Sequence, residues 1–491
     1  MIKLISREFY IISIRIEMKF SFVNPSPTLE LIKKVPTVWP PLGILYCAQV
    51  LKEGGVEVSV LDQPAKLDTV EGVVNWVKKE DPNIVGFSVL INTAKTAPQI
   101  AKRIKLQNPN IKIVFGSHHS TFNAIRILKK YPFIDIIVRG EGEYTNLEIT
   151  ECYKKQIGLN EVKGITYRKN NRIVTNIDRP LNEKIDDLPF PDRKISKVEY
   201  DLKIGQFKVN TSKVTTIISS RGCPFNCRFC GIRKFTKSVW RPRSVENVMA
   251  ELQYLQSEGY EQFLFVDDNF TLDSKRVVRL CERIKKEGMD IEWFCDSRVD
   301  NVNLNMFKKM EKTGCKSLLF GIESANQRIL DYYRKGITPD QARKAVTKAR
   351  KANIDLIVGS FIVGALDETY NEVINTLNFA NRLDLDVPEV NILRTHAGTD
   401  IWNELVAKGL LVEEIYWEDQ IFIPKSFSTP VPYEKLRVLI SQYFRSFYSN
   451  PEQVLVELLR SATSSFRTKV FLQNLSDIQK QQDQFIKLEE E

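Results

Sequence analysis

The sequence predicts an α/β protein: an open parallel sheet, then a partial or full (β/α) barrel, then a helical end. Three observations carry that prediction. Apolar runs of strand length alternate with amphipathic helical stretches from Met18 to about Asp187, and again from Val214 to Leu393. Alternation at this spacing gives βαβ units with parallel strands. A proline-broken stretch, Leu188-Pro-Phe-Pro-Asp192, separates the two series. The 491 residues, 43% hydrophobic and 27% charged, suit two to four domains of roughly 150 residues and exclude a disordered or fibrous chain.

In the first series the strand-like runs are Phe20–Asn24, Val56–Leu61, Ile84–Leu90, Ile111–Phe115 and Ile134–Arg139. Helical periodicity falls between them, over Gly43–Gly54, Val70–Glu80, Thr96–Gln107 and Thr121–Tyr131. Residues 187–212 read as a linker. The second series has strands at Thr215–Ser219, Gln262–Val266, Ile291–Cys295, Ser317–Gly321, Leu356–Phe361 and Glu389–Leu393. Ser244–Gly259, with a Ser N-cap, and Ser274–Glu287 are two of its helices. The expected units are therefore an extension (1–17), a first domain (18–186), the linker (187–212), the barrel (213–425) and a polar helical region (426–491). Both sheet types bind ligands beyond the carboxyl ends of their strands.

Even Ile354–Ala365, interrupted by Asp355, falls short of the ~20 residues of a spanning helix. Arg7, Glu8, Arg15 and Glu17 break any signal-peptide core before the second methionine, Met18. The expectation is a cytoplasmic protein with at most peripheral membrane contact. Eight cysteines are too few for a disulfide scaffold, which leaves thiols for metal binding, catalysis or packing. Cys281, Cys295 and Cys315 form no short motif and read as small buried hydrophobes.

The strongest motif follows the first barrel strand: Arg221-Gly222-Cys223-Pro-Phe-Asn-Cys227-Arg-Phe-Cys230-Gly231. Three closely spaced thiols can ligate three irons of a 4Fe-4S cluster and leave the fourth iron open to a ligand. Zinc competes as a reading, but it prefers four ligands, often with His, and no His is near in the chain. This triplet resembles that of the radical S-adenosylmethionine superfamily, and other segments extend the likeness. The resemblance implies Cys223, Cys227 and Cys230 as catalytic cluster ligands, with Phe229 beside the adenine. Asp267, Asp268 and Asn269, in Phe265-Val-Asp-Asp-Asn-Phe, look like the segment that holds the methionine amino group. The bland alternative for the two Asp is a helix cap. Arg298 and Glu323-Ser324 resemble the contacts to carboxylate and ribose, chemistry that suits an Arg fork and an acceptor. Gly359 and Gly364 resemble glycines at which backbone nears the adenosine, although Ala365-Leu366-Asp367-Glu368-Thr369 departs from the usual Leu-Pro-Gly-Glu-Thr.

The first series resembles the cobalamin-binding, Rossmann-like domain that precedes the radical barrel, a partial (β/α)6 TIM barrel, in one subgroup. Trp39-Pro-Pro41-Leu42-Gly43, Val85-Gly86-Phe-Ser88-Val, Gly116-Ser117-His118-His119-Ser120-Thr121 and Val138-Arg139-Gly140-Glu141-Gly142-Glu143 carry it. Through it Ser88, Gly116, Ser117, His118, Thr121, Glu141 and Gly142 become candidate cofactor contacts. His118 also reads as an ordinary hydrogen-bonded loop histidine, and Ser117 stands where the subgroup has a second Gly. Asp-x-His-x-x-Gly, the usual source of a cobalt-ligating His, is absent, so no protein His is expected on cobalt. His396, in the loop after the sixth barrel strand, reads either as a proton carrier or as a plain loop residue.

The resemblance implies a 4Fe-4S cluster, S-adenosylmethionine and cobalamin, with an electron donor such as a ferredoxin or flavodoxin. It implies radical methylation of an unactivated carbon by methylcobalamin, which a second S-adenosylmethionine recharges. Carbon–carbon bond formation or cyclisation on a lipid-like substrate is the alternative; a non-catalytic iron–sulfur or RNA-binding protein is the alternative of another class. The residues do not name the substrate; the resemblance suggests a hydrophobic molecule or a protein, and no nucleic-acid partner is expected. Finally, the net charge of +10 equals one block: ten Lys and Arg lie between Leu202 and Val245, with no Asp or Glu. Because it surrounds the cysteines, this belt is expected to neutralise bound anions or to dock an acidic electron donor, whereas nucleic-acid binding spreads its charge over a face.

Overall fold

The computed structural model describes residues 18–27, 39–66, 68–204 and 207–474. The expected extension over residues 1–17 lies outside the described residues. The first sheet holds β1 (Lys19–Asn24), β2 (Glu57–Asp62), β3 (Ile84–Ser88), β4 (Lys112–Gly116), β5 (Ile136–Val138), β6 (Ile165–Lys169) and β7 (Arg172–Thr175). They are ordered β2-β1-β3-β4-β5-β6-β7, and the first five are parallel. Both faces of this sheet are covered, which is why its strands read as continuous apolar runs. Phe20, Phe22 and Ile84 pack with the helix Leu42–Glu53, while Val85, Phe87 and Ile113 pack with Val70–Glu80 and Thr96–Gln107.

Two features differ from expectation. β6 and β7 form an antiparallel hairpin, so the sheet is mixed. Asn170 and Asn171 join them at φ 48° and 59°, the positive-φ pair that a two-residue hairpin turn requires. The helix expected over Thr121–Tyr131 is two pieces, Ser117–Phe122 and Ala124–Lys130. Asn123 divides them, its side-chain amide donating to the His119 carbonyl at 3.1 Å.

The second sheet is six parallel strands that neighbour one another in chain order: β8 (Val214–Ile217), β9 (Gln262–Phe265), β10 (Glu292–Ser297), β11 (Cys315–Glu323), β12 (Leu356–Val363) and β13 (Val387–Ile392). Its two edge strands do not pair, so the barrel is partial. Outward residues such as Phe263, Trp293, Phe320 and Ile357 form the main core with the surrounding helices. Ser244 caps Val245–Ser257 by accepting from the Asn247 N–H. At the amino end of the barrel, Val214, Leu264, Phe294 and Leu356 are sealed by Phe466 and Val470 from the last helix and by Leu202 and Val209. Leu202 and Val209 of the expected linker are thus packed into the barrel floor, and buried Arg193 pairs with Glu251 at 2.7 Å.

The C-terminal region is helical but not polar throughout. On Pro451–Thr463 the side chains of Val454, Leu455, Leu458 and Leu459 are exposed. Among the described residues no helix is long and apolar enough to cross a membrane.

Candidate functional site

The cysteine loop takes its shape from the strand beside it. Asp267, buried just past β9, accepts hydrogen bonds from the Ser219 N–H (2.7 Å), Ser219 Oγ (2.7 Å) and Ser220 Oγ (2.5 Å). Asp268 accepts from the Gly222 N–H at 2.9 Å. Neither caps a helix; Asp273 does so for Ser274–Lys286. Asp267 is fully used in fastening the loop, which sets it apart from Asp268, whose side chain also reaches the cavity described below. Beyond Gly222 the three thiols are half-buried and in no disulfide. Burial pushes the Cys223 thiol up and that of Cys230 up to about 11, and the charges of neighbouring thiols add to both. The opposition to ionisation of Cys223 and Cys230 is relieved by a bound cation, which is what a cluster provides.

Around them stand the other residues singled out at the barrel top. Arg298 lies flat on Phe225 at 3.7 Å, with Nη1 4.0 Å from Cys227 Sγ. Its remaining donors are held by Asp300 (3.0 and 2.8 Å) and the Lys335 carbonyl (2.6 Å). Asn269 is 2% exposed, and neither atom of its side-chain amide has a partner among the described residues. An orphaned buried amide is a cost unless a ligand satisfies it, so this side of the loop fits a polar molecule such as S-adenosylmethionine. Phe229 meets Tyr333 edge-on at 5.4 Å. Glu323, left-handed at φ 65°, forms a buried ion pair with Lys335 at 2.7 Å. Ser324 Oγ lies 3.1 Å from Thr376 Oγ1.

Lys335 is a residue that sequence reasoning missed. Gly321 was its only trace: a Cβ there would sit 2.7 Å from Lys335 Nζ. Gly359 and Gly364, expected to admit the adenosine, are accounted for by packing. A Cβ at Gly359 would meet Leu385 at 2.5 Å, and one at Gly364 would meet Pro424 at 2.6 Å. The divergent turn after Gly364 is closed by Glu368, which accepts from the Gly364 and Ala365 N–H groups at 2.5 and 3.1 Å.

Between the carboxyl edge of the first sheet and the cysteine loop lies a cavity of about 280 Å³. Ser88, Gly116, Ser117, His118, Glu141 and Gly142 line one side, and Ser220, Arg221, Gly222 and Asp268 the other. Thr121 is behind this wall, its Oγ1 donating to the Ser117 carbonyl (2.8 Å) and accepting from the Gly140 N–H (3.0 Å). Ser117 itself is at φ 76°, a conformation that favours glycine. The His118 ring stacks on Phe235 at 4.0 Å, and its Nε2 is buried without a partner among the described residues. Burial, and secondarily the charge of His396, pulls His118 down to about 4, so it is neutral at pH 7. The volume is at the low end of small-molecule pockets and takes one part of a molecule as large as a corrinoid; the neutral, unpartnered imidazole and the polar loop ends suit such a group.

Much of the belt of positive charge is paired within the chain. Arg221 and Arg241 pair with Glu141, Arg228 with Glu404, Arg233 and Lys234 with Asp400, and Arg243 with Glu251. Carboxylates therefore meet these six of the block's ten cations, and the six clamp the loop to the rest of the chain. Glu141, a candidate cofactor contact, belongs to this clamp. His396, distant in sequence, comes beside the triplet: its Cε1 lies 3.4 Å from where a Cβ of Gly231 would be. Even so, among the described residues no three His, Cys, Asp or Glu form a group that could hold a single metal ion. Cys281, Cys295 and Cys315 are buried in the barrel core.

Residues 217–380 match the model of the Radical SAM superfamily, and residues 30–150 match the B12 binding domain. An uncharacterized methyltransferase of Pyrococcus horikoshii is 36% identical over 90% of this chain and 95% of its own length. The anaerobic magnesium-protoporphyrin IX monomethyl ester cyclase of Rubrivivax gelatinosus is 29% identical over 78% of this chain and 69% of its own. The fold is similar to that of the radical S-adenosylmethionine methyltransferase TsrM from Kitasatospora setae, solved with cobalamin and a 4Fe-4S cluster bound. That likeness has a TM-score of 0.65 at 17% identity, over 80% of this chain and 75% of the other.

Proposed function

The chain belongs to the cobalamin-dependent radical S-adenosylmethionine enzymes, and from that premise we propose that it methylates an unactivated carbon. One observation carries this reading. Arg221 and Gly222 of the cysteine loop, with Asp268 that fastens it, face the same cavity as Ser88, Gly116 and His118 of the first domain, so a group in that cavity is next to whatever the cysteines hold. When bound, the cluster supplies the electron that cleaves S-adenosylmethionine to a 5'-deoxyadenosyl radical, and cobalamin supplies the methyl group.

The residues divide the remaining work. Cys223, Cys227 and Cys230 ligate the cluster. Asn269 and Asp268 receive the methionine amine, and Arg298, fixed by Asp300, presents its charge beside Cys227. Glu323 faces the ribose in a direction set by Lys335, and Phe229 packs against the adenine. His118, held neutral by burial, offers an uncharged nitrogen to the corrinoid. Residues 18–186 thus seat one cofactor and residues 213–425 the other two, with a ferredoxin or flavodoxin as electron source. The cyclase similarity supports carbon–carbon bond formation as a second reading; it uses the same residues but forms no S-adenosylhomocysteine.

Protein incubated with hydroxocobalamin and then desalted is expected to keep close to one corrinoid per chain, read from its visible absorbance. If none is retained, corrinoid-dependent methylation is wrong.

A further inference from the structure

The two lips of the cavity are joined by four charges. Glu141 accepts from Arg241 at 2.8 and 2.9 Å and from Arg221 at 3.2 Å, and Glu143 pairs with Arg221 at 2.8 Å. The Arg221 guanidinium also lies over the Tyr46 ring at 5.0 Å. The side chains of Arg241, Glu143, Glu141 and Arg221 are 5, 8, 13 and 14% exposed. Two cations and two anions close the network with no excess charge. Burial alone would push Glu141 up, but the Arg241 hydrogen bond and the charges of Arg221 and Arg241 outweigh it and hold this carboxyl below its usual range.

Such a network adds little net stability, because desolvation offsets the attraction. Breaking it strands a buried charge, however, so it fixes geometry. Its members sit where two sites meet. Arg221 is two residues before Cys223 and is followed by Gly222, at φ 87° and bonded to Asp268. Glu141 and Glu143 follow β5 and line the cavity, as do Arg221, Gly222 and Asp268. The network therefore ties one lip to the other.

We propose that the Glu141–Arg221–Arg241 network couples the two cofactor seats, so that a cluster on the cysteines raises the affinity of the cavity for a corrinoid, and a corrinoid raises the affinity for the cluster by the same factor. The proposal rests on the reading of the cavity as the corrinoid seat. The Arg–carboxylate forks supply the rigidity, because a bidentate pair fixes orientation as well as distance.

The test is a titration of hydroxocobalamin, under anaerobic conditions, into cluster-free and cluster-reconstituted wild-type protein. Reconstitution should tighten the dissociation constant by roughly 5- to 150-fold, the usual span of coupling between sites. In Glu141→Gln the ratio of the two constants should approach one, whatever the affinity itself does. Should that variant fold poorly, hydrogen exchange of the cluster-free wild type gives the same answer: hydroxocobalamin should slow exchange across residues 219–224. Equal wild-type constants in both states, a full coupling ratio in Glu141→Gln, or unchanged exchange at 219–224 would overturn the coupling while leaving the corrinoid seat intact. Failure of the wild type to bind hydroxocobalamin in either state would overturn the seat and the coupling together.

Discussion

Cys227→Ala is expected to lose most of the about four irons per chain that one cubane cluster brings, and with them all 5'-deoxyadenosine formation. The loop provides three thiols, and its turn is tight: the Cys230 N–H bonds to the Cys227 carbonyl at 3.2 Å. With Cys227 replaced, two thiols remain where a cubane cluster needs three. Cys227 is half-buried and outside the apolar clusters, so its methyl-sized replacement should leave the circular dichroism of the chain unchanged. Iron analysis and absorbance near 400 nm distinguish the outcomes; a variant that keeps full iron and colour would remove the assignment of the triplet.

Gly222→Ala should come next in size. Gly222 is at φ 87°, where a side chain costs about 1–3 kcal/mol. Its Cβ would also lie 2.1 Å from the Val239 carbonyl oxygen and 3.1 Å from Thr236 Cβ. The first neighbour is backbone, adjoining the Arg241–Pro242 strand that pairs with Ser220–Arg221. Relief requires the loop to shift off Asp268, and the cysteines shift with it. Iron content should fall by more than half. Gly259→Ala is the matched control, since φ there is 84° and nothing lies within 4 Å of the added carbon; it bears the backbone strain without the clash and should keep its cluster. Equal iron in the two variants would show that the loop tolerates the displacement.

Much of this was legible in the sequence, for local reasons. The six barrel strands are apolar runs bounded by polar or glycine residues, and each was placed to within a few residues. The triplet needs only a short segment to be recognised. Features that depend on distant partners were not readable. Arg193 gives no sign that it will pair with Glu251, or Arg241 with Glu141, because such pairs are created by the fold. For the same reason the positive block looked like an open belt until its carboxylates were brought to it. Lys335, in the loop after the helix Gln327–Tyr332, belongs to no motif in sequence and becomes part of the site only where Gly321 leaves room for its ammonium. Asp267 and Asp268 are adjacent and chemically alike, yet strand geometry turns one into a fastener and the other toward the cavity. The β6–β7 hairpin was readable in principle, since Asn170-Asn171 is a turn signal between two short β-branched runs.

The most direct test of the central claim is chromatography of the nucleosides formed when the anaerobic protein, loaded with cluster and cobalamin, is given reductant and S-adenosylmethionine. The account predicts both 5'-deoxyadenosine, from radical cleavage, and S-adenosylhomocysteine, from methyl donation to the corrinoid. Fully loaded protein that forms no S-adenosylhomocysteine, whether or not 5'-deoxyadenosine appears, would contradict it.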